Sequence, residues 1–104
     1  MALFIARHQH AAERCPAADP GMGPMLLTHL SSESASGQGV TIKAEAVVND
    51  AHTLYLIVDA DSKERVEHFM TPFAQVGTVE LLPASSCEAV IGRRGCAAST
   101  APAC

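Results

Sequence analysis

Residues 2–10 begin with five apolar residues and end with four polar ones, and we predict that they form the first strand. Successive side chains of a β-strand point to opposite faces, so every second residue of this stretch shares a face. One face carries two apolar residues and then two histidines: Phe4, Ala6, His8 and His10. The residues between them form the opposite face.

A loop and then a helix are predicted after this strand. Residues 11–23 contain prolines and glycines that break regular structure, and Pro24 suits a first helical position. The predicted helix should fade near Ser34 to Gly37, where serine and glycine replace apolar residues. Its apolar positions recur at helical spacing: Met22, Met25, Leu26, His29 and Leu30.

Two further stretches predict a β-hairpin. Residues 40–48 alternate between apolar and mostly polar positions, and residues 53–59 are strongly apolar. Asn49 and Asp50 lie between them and are typical turn residues. Two strand-like runs joined by such a turn favour antiparallel pairing.

A second helix is predicted to start at Asp61, because Glu64 follows three residues later, as in a capping box. Pro72 lies within the helical pattern and should kink or restart the helix, since proline lacks a backbone N–H. Gly77 should end it. The apolar face of this helix is expected to comprise Val66, Phe69, Met70 and Phe73.

The end of the chain predicts a fourth strand and a tail. Residues 78–82 form the strand, and residues 86–91 are expected to add a short fifth strand at the sheet edge. From residue 92 the composition changes to Gly, Ala, Ser, Thr and Pro. We therefore expect one domain over residues 1–91 and a flexible tail over residues 92–104. The tail contains Cys96 and Cys104, which could form a disulfide, hold a metal loosely or be modified.

The predicted order of elements is β, α, β, β, α, β, with a possible extra strand. This order is typical of a ferredoxin-like α+β domain, with both helices on one face of an antiparallel sheet. The other face would be rich in Leu, Ile, Val and Ala. An uncovered apolar face of that kind favours self-association, so a homodimer is expected.

Composition narrows the possible functions. The 104 residues are 48 % hydrophobic and 17 % charged, with a net charge of −4, and basic residues are not clustered beyond Arg93-Arg94. Nucleic acid is therefore not expected as a partner. No apolar run reaches the roughly 18 residues that span a membrane, and no secretory leader is evident. A soluble, cytoplasmic protein is expected.

The strongest candidate chemistry is metal binding. His8 and His10 would lie on one strand face, roughly 6.6 Å apart along the strand, and Cys15 follows on a loop that could fold back. Imidazole and thiolate ligands suit Ni, Zn or Cu. The alternative is that the histidines are only polar residues at a strand end. Further candidate ligands are His29, Cys87 and Glu88.

Each further candidate has a structural alternative. His29 falls on the apolar stripe of the first helix, where a histidine is usually a hydrogen-bonded core residue. Cys87 is expected to be a buried structural cysteine, or to need a fifth strand or a partner subunit to reach the histidines, because the first and last strands are not expected to be neighbours. His52 and His68 are expected to be solvated.

Two other functions stay open. One is a dimeric α+β barrel that binds a small apolar ligand or acts as a small monooxygenase or isomerase, with His8 or His29 as the polar group of its cleft. The other is an interaction module whose cysteine tail is modified by a partner. No phosphate-binding, α/β-hydrolase or zinc-protease motif is present. The cleft would be lined by Phe4, Met25, Phe69 and Phe73.

The opening strand with its Arg7-His8 pair, the hairpin over residues 40–58 and the helix that begins Asp61-x-x-Glu64 resemble small bacterial ferredoxin-like proteins, one branch of which binds nickel. This resemblance spans roughly residues 2–82. It implies a dimeric α+β domain with a metal near the histidine of the first strand, which is His8 in this sequence.

Overall fold

A computed structural model describes residues 2–96. Within this range a four-stranded antiparallel sheet has the order β2-β3-β1-β4, which confirms the predicted ferredoxin-like α+β fold. The elements are β1 (Ala2–Gln9), α1 (Met22–His29), α2 (Ser32–Gly37), β2 (Val40–Val48), β3 (Thr53–Ala60), α3 (Lys63–Phe69), α4 (Thr71–Ala74), β4 (Thr78–Ala84) and α5 (Cys87–Arg93), with short 3-10 turns at Ala12–Arg14 and Pro16–Ala18.

The core lies between one face of the sheet and the helices α1 to α4. The central strand β1 pairs with β3 and β4, so that Ala6 lies opposite Leu56 on one side and Leu81 on the other. Burial of this apolar surface provides the main stabilisation of the fold. The buried apolar residues are Phe4, Ala6, Leu26, Ala35, Val40, Leu56, Val58, Ala60, Val66, Phe69, Met70 and Phe73.

The outer face of the sheet is not covered by these helices. Ile5 on β1 lies opposite Ile57 on β3 and Leu82 on β4, and the latter two side chains are 38 % and 42 % exposed. This apolar row is flanked by polar pairs. Arg7 donates a hydrogen bond to the Tyr55 hydroxyl (3.3 Å). The homodimer prediction rests on this face.

Strand β2 contains a register shift between Ile42 and Ala44. Ile42 pairs with Val58 and Ala44 pairs with Ile57, so Lys43 is the extra residue of a β-bulge. The Lys43 ammonium lies 3.4 Å from a carboxylate oxygen of Asp59. Lys43 therefore forms an ion pair at the edge of the sheet.

Two predictions about the strands were wrong. The first and last strands are neighbours, because β4 pairs directly with β1 and places Val79 opposite His8. Residues 86–91 do not form a fifth strand but lie largely in α5. The Ser86 hydroxyl accepts a hydrogen bond from the Ala89 backbone N–H (3.1 Å), and a serine cap of this kind favours a helix start.

Serine residues also start two other helices. The predicted first helix is divided, and Ser31 caps α2 by accepting from Ser34. The cap of α3 is Ser62, which accepts from the Arg65 backbone N–H, and not Asp61. The predicted effect of Pro72 is confirmed, because the helix ends after Phe69 and restarts as α4.

The last helix runs past residue 91. Helix α5 extends to Arg93, and Arg94 ends it in the left-handed conformation (φ 59°). Cys96 is disulfide-bonded. Cys104 and the rest of the predicted tail from residue 97 lie outside the described residues. Between residues 2 and 96, no helix is long and apolar enough to span a bilayer.

Candidate metal centre

Three segments meet at the C-terminal end of β1. His10 follows the strand directly, and its backbone N–H donates to the His52 carbonyl in the β2–β3 turn (3.2 Å). Cys15 lies between the two 3-10 turns that lead away from β1. The side chains of all three residues are half-buried. We call this group the His10–Cys15–His52 cluster.

The β2–β3 turn directs the His52 side chain towards β1. Val48 pairs with Thr53, which leaves four residues in the turn, and both Asp50 (φ 64°) and His52 (φ 50°) adopt the left-handed conformation. Asp and His tolerate this conformation better than most residues other than glycine. The Thr53 hydroxyl donates to the Ala51 carbonyl (2.9 Å), which further orders the turn.

The spacing of the cluster suits a metal ion. His10 Nε2 lies 3.3 Å from His52 Nδ1, and one ligand atom from each of the three residues lies within 4.8 Å of the others. Two nitrogens bound tetrahedrally at about 2.1 Å are about 3.4 Å apart. The imidazole pair already has this separation, and the Cys15 sulfur lies within 4.8 Å of a ligand nitrogen of each histidine.

The electrostatics of His10 favour its metal-binding form. Burial lowers the pKa of His10 below its ordinary value of 6.5, and the nearby His52 lowers the pKa further. A metal ion binds the neutral imidazole, so a lowered pKa reduces competition from protons.

His8 lies next to this cluster but is not part of it. Only 2 % of its surface is exposed, and its ring packs edge-on against Phe73 at a centroid distance of 5.2 Å. Neither ring nitrogen has a hydrogen-bond partner among the residues that the structure describes. Burial lowers the pKa of His8, as does the nearby His10, while the Thr78 backbone opposes this shift; the contact with Thr78 does not meet hydrogen-bond geometry.

The other predicted ligands lie apart from the cluster. His29 Nε2 donates to the Phe69 carbonyl (2.6 Å), and its ring stacks on the Phe69 ring, which matches the structural alternative for this residue. Cys87 is an exposed free thiol at the start of α5, so it is not a buried structural cysteine. Glu88 follows it in the first turn of α5.

His52 was wrongly expected to be solvated. The register of the sheet brings it to the cluster, because β3 runs antiparallel to β1 and Thr53 lies opposite Gln9. The residue before Thr53 therefore lies beside the residue after Gln9, which is His10. Sequence spacing alone hides this contact, since 42 residues separate the two histidines.

An apolar cleft of about 450 Å³ lies next to the cluster, between α1 and the sheet. We call it the α1 cleft. Of the lining predicted from the sequence, Phe73 and His8 border it, whereas Phe4 and Phe69 are closed in the core and Met25 is largely exposed elsewhere. The lining consists of His8, His10, Pro16, Ala17, Gly23, Pro24, Leu26, Leu27, Leu30, Glu45, Val47, Leu54 and Phe73.

Comparison with protein-family models identifies the family of this chain. The family model described as a domain of unknown function (DUF3303) matches residues 6–93. The chain belongs to the DUF3303 family. In this DUF3303 protein the match extends from β1 into α5 and includes every residue of the His10–Cys15–His52 cluster. No curated protein matches the chain.

Proposed function

We propose that this protein binds a transition-metal ion through His10, Cys15 and His52. The observation that supports this proposal is the convergence of two imidazoles and a thiol within 4.8 Å. Two nitrogen ligands and one thiolate suit Zn, Ni or Cu better than Mg or Ca, which prefer oxygen ligands. The resemblance to a nickel-binding branch implied a metal near His8, which lies next to this ligand set but outside it.

The proposed role is metal storage, delivery or sensing. Three protein ligands leave a tetrahedral ion with one open position, which a solvent molecule or a ligand from another protein can occupy. The cluster joins a strand end, a loop and a hairpin turn, so metal binding would cross-link parts of the chain that are distant in sequence. Such a cross-link can signal that a metal ion is bound, or hold the ion until another protein takes it, and neither role requires a catalysed reaction.

Cobalt(II) titration of the untagged protein tests the proposal. We expect one equivalent to bind per chain, with the absorption of a thiolate-ligated tetrahedral ion, and zinc to displace it. Cys15→Ser should remove the thiolate absorption. His52→Asn keeps a residue that tolerates the left-handed turn and should weaken binding at least about a hundredfold, because loss of even a supporting group typically costs 10–100-fold.

His68→Asn and Cys87→Ser are the controls, since both residues are exposed on helices outside the cluster. Each should retain wild-type metal affinity and spectrum. The proposal fails if the wild-type protein binds neither cobalt nor zinc, or if Cys15→Ser leaves the spectrum and the affinity unchanged. Competition with nickel and copper then identifies the preferred ion.

We further propose that a second copy of the chain covers the outer sheet face. The apolar row of Ile5, Ile57 and Leu82 is bordered by charges of both signs, so two copies can pair in a complementary orientation. Ile57→Lys should convert a dimer to a monomer in sedimentation velocity. Ile91→Lys, at an exposed position on α5, is the control and should stay dimeric; a monomeric wild-type protein contradicts the proposal.

A further inference from the structure

The α1 cleft has the form of a small-molecule site. Its volume of about 450 Å³ lies within the usual range for ligand pockets. Strands β1, β2 and β3 form its floor, and α1, the Pro16 turn and Phe73 on α4 form its walls. Most of this lining is aliphatic or aromatic, so burial of an apolar ligand there is favourable.

The polar groups of the cleft are few and specific. They are the two imidazoles of His8 and His10 and the carboxylate of Glu45; neither Lys nor Arg borders the cleft. An anionic ligand would therefore meet a carboxylate and no positive partner. The chemistry of the lining favours an uncharged ligand whose polar group reaches the histidines.

His8 is the group in the cleft that lacks a partner. It is almost fully buried, yet within residues 2–96 both of its ring nitrogens are without hydrogen bonds, as is Nδ1 of His10. A buried polar group without a partner costs free energy, and such groups in a native fold call for an explanation. A ligand that supplies the missing hydrogen bond would recover this free energy.

We propose that the α1 cleft binds a small uncharged aromatic alcohol of the phenol class, with its hydroxyl hydrogen-bonded to His8. A neutral imidazole offers one donor and one acceptor, and a hydroxyl group can satisfy either. Phe73 and the His10 ring provide aromatic contacts for the ligand ring. Both His8 nitrogens are closed off from solvent, so the proposal requires a side chain at the rim to rotate when the ligand binds, as is common at binding sites.

This site does not depend on the metal. His10 borders the α1 cleft and also belongs to the His10–Cys15–His52 cluster, but His8 and the apolar walls belong to the cleft alone. Ligand binding should therefore occur in the presence of a chelator. A protein that binds the aromatic alcohol but no metal would refute the proposed function and leave this inference intact.

Titration of the full chain with p-cresol, followed by two-dimensional amide NMR in the presence of a chelator, tests the inference. We expect saturable shifts at residues of the cleft. Toluene, which lacks the hydroxyl, and 4-methylbenzoate, which is anionic, should each bind at least about tenfold more weakly, a difference of about 1.4 kcal/mol. His8→Leu should bind p-cresol and toluene equally.

A matched pair of variants distinguishes the cleft from other surfaces. Val47 borders the cleft, whereas Val48 points to the opposite face of the same strand. Val47→Trp should fill the mouth and weaken p-cresol binding at least about tenfold, while Val48→Trp should leave it unchanged. Absence of saturable binding, equal affinity of the wild-type protein for toluene, or equal effects of the two tryptophans would overturn the inference.

Discussion

Gly77→Ala is expected to destabilise the fold by at least about 3 kcal/mol, the upper end of the usual cost of inserting a methyl group into a packed site. Gly77 precedes β4, where the chain passes close to the end of β1. A Cβ atom at this position would collide with the Gln9 carbonyl oxygen and would lie 2.9 Å from Cε1 of His8. A backbone carbonyl within a sheet cannot move aside as a flexible side chain can.

Denaturant unfolding at matched protein concentration measures this effect, since self-association also changes apparent stability. Gly92→Ala is the control, because a Cβ atom there meets no atom of the described residues within 4 Å and Gly92 lies in α5. That variant should be unchanged or more stable by up to about 1 kcal/mol, as alanine favours helices. Equal unfolding midpoints for Gly77→Ala and the wild-type protein would contradict the close approach of β1 and β4.

His8→Leu is expected to raise the free energy of unfolding by about 1–3 kcal/mol at neutral pH, because it removes buried nitrogens that have no hydrogen-bond partner. Leucine also suits the apolar surroundings, which include Phe73 and Val79. A substitution that increases stability while it removes ligand discrimination is typical of a residue retained for binding.

The pH dependence gives a second measurement of the same variant. Burial lowers the pKa of His8 in the folded state below 6.5, so below about pH 6.5 the unfolded chain binds more protons than the folded chain. Stability of the wild-type protein should therefore fall as the pH drops below this value and be unaffected by His8 above it. His8→Leu should show a shallower fall, and the remainder includes the contribution of His10, whose pKa is also lowered.

His68→Asn is the control for removal of a histidine, since His68 is exposed on α3. It should reproduce the wild-type profile of unfolding free energy against pH. If His8→Leu proves less stable than the wild-type protein at pH 7 and falls equally steeply in acid, then the His8 nitrogens have partners after all.

The order of the helices and strands could be predicted because local sequence patterns indicate most of these elements. The apolar run that opens residues 2–10 and the alternation over residues 40–48 indicate strands, and Pro72 indicates the restart between α3 and α4. The inward face of β1 also followed directly, since Phe4, Ala6 and His8 are all buried. These features depend on neighbours a few residues away along the chain.

The site was only partly predictable because it depends on pairing between distant strands. His10 and Cys15 could be selected as candidate ligands from their residue types and short separation. His52 could not be ranked above His68 without the register that brings the β2–β3 turn to the end of β1. Its left-handed backbone conformation, which aims the ring, has no signature in the sequence around it.

Residues 86–91, which were predicted to be a strand but lie largely in α5, show a different limit of prediction from sequence. Val90 and Ile91 favour a strand by residue type, but Ser86 offers a cap and Glu88 lies in the first turn, where an acidic residue suits a helix. The helix therefore prevails over the strand. A short apolar run of this length does not distinguish a strand from a helix until the residues that could cap a helix are also considered.

In the part of the chain that the structure describes, β2 and β4 are the two edges of the sheet, and both carry features that oppose polymerisation. On β2, the bulge at Lys43 interrupts the regular row of backbone donors and acceptors and places a charge at the edge. On β4, Pro83 removes one backbone donor. Bulges, lysines and prolines at edges discourage strand addition by other chains. The chain can therefore expose an apolar sheet face without its edges nucleating fibrils.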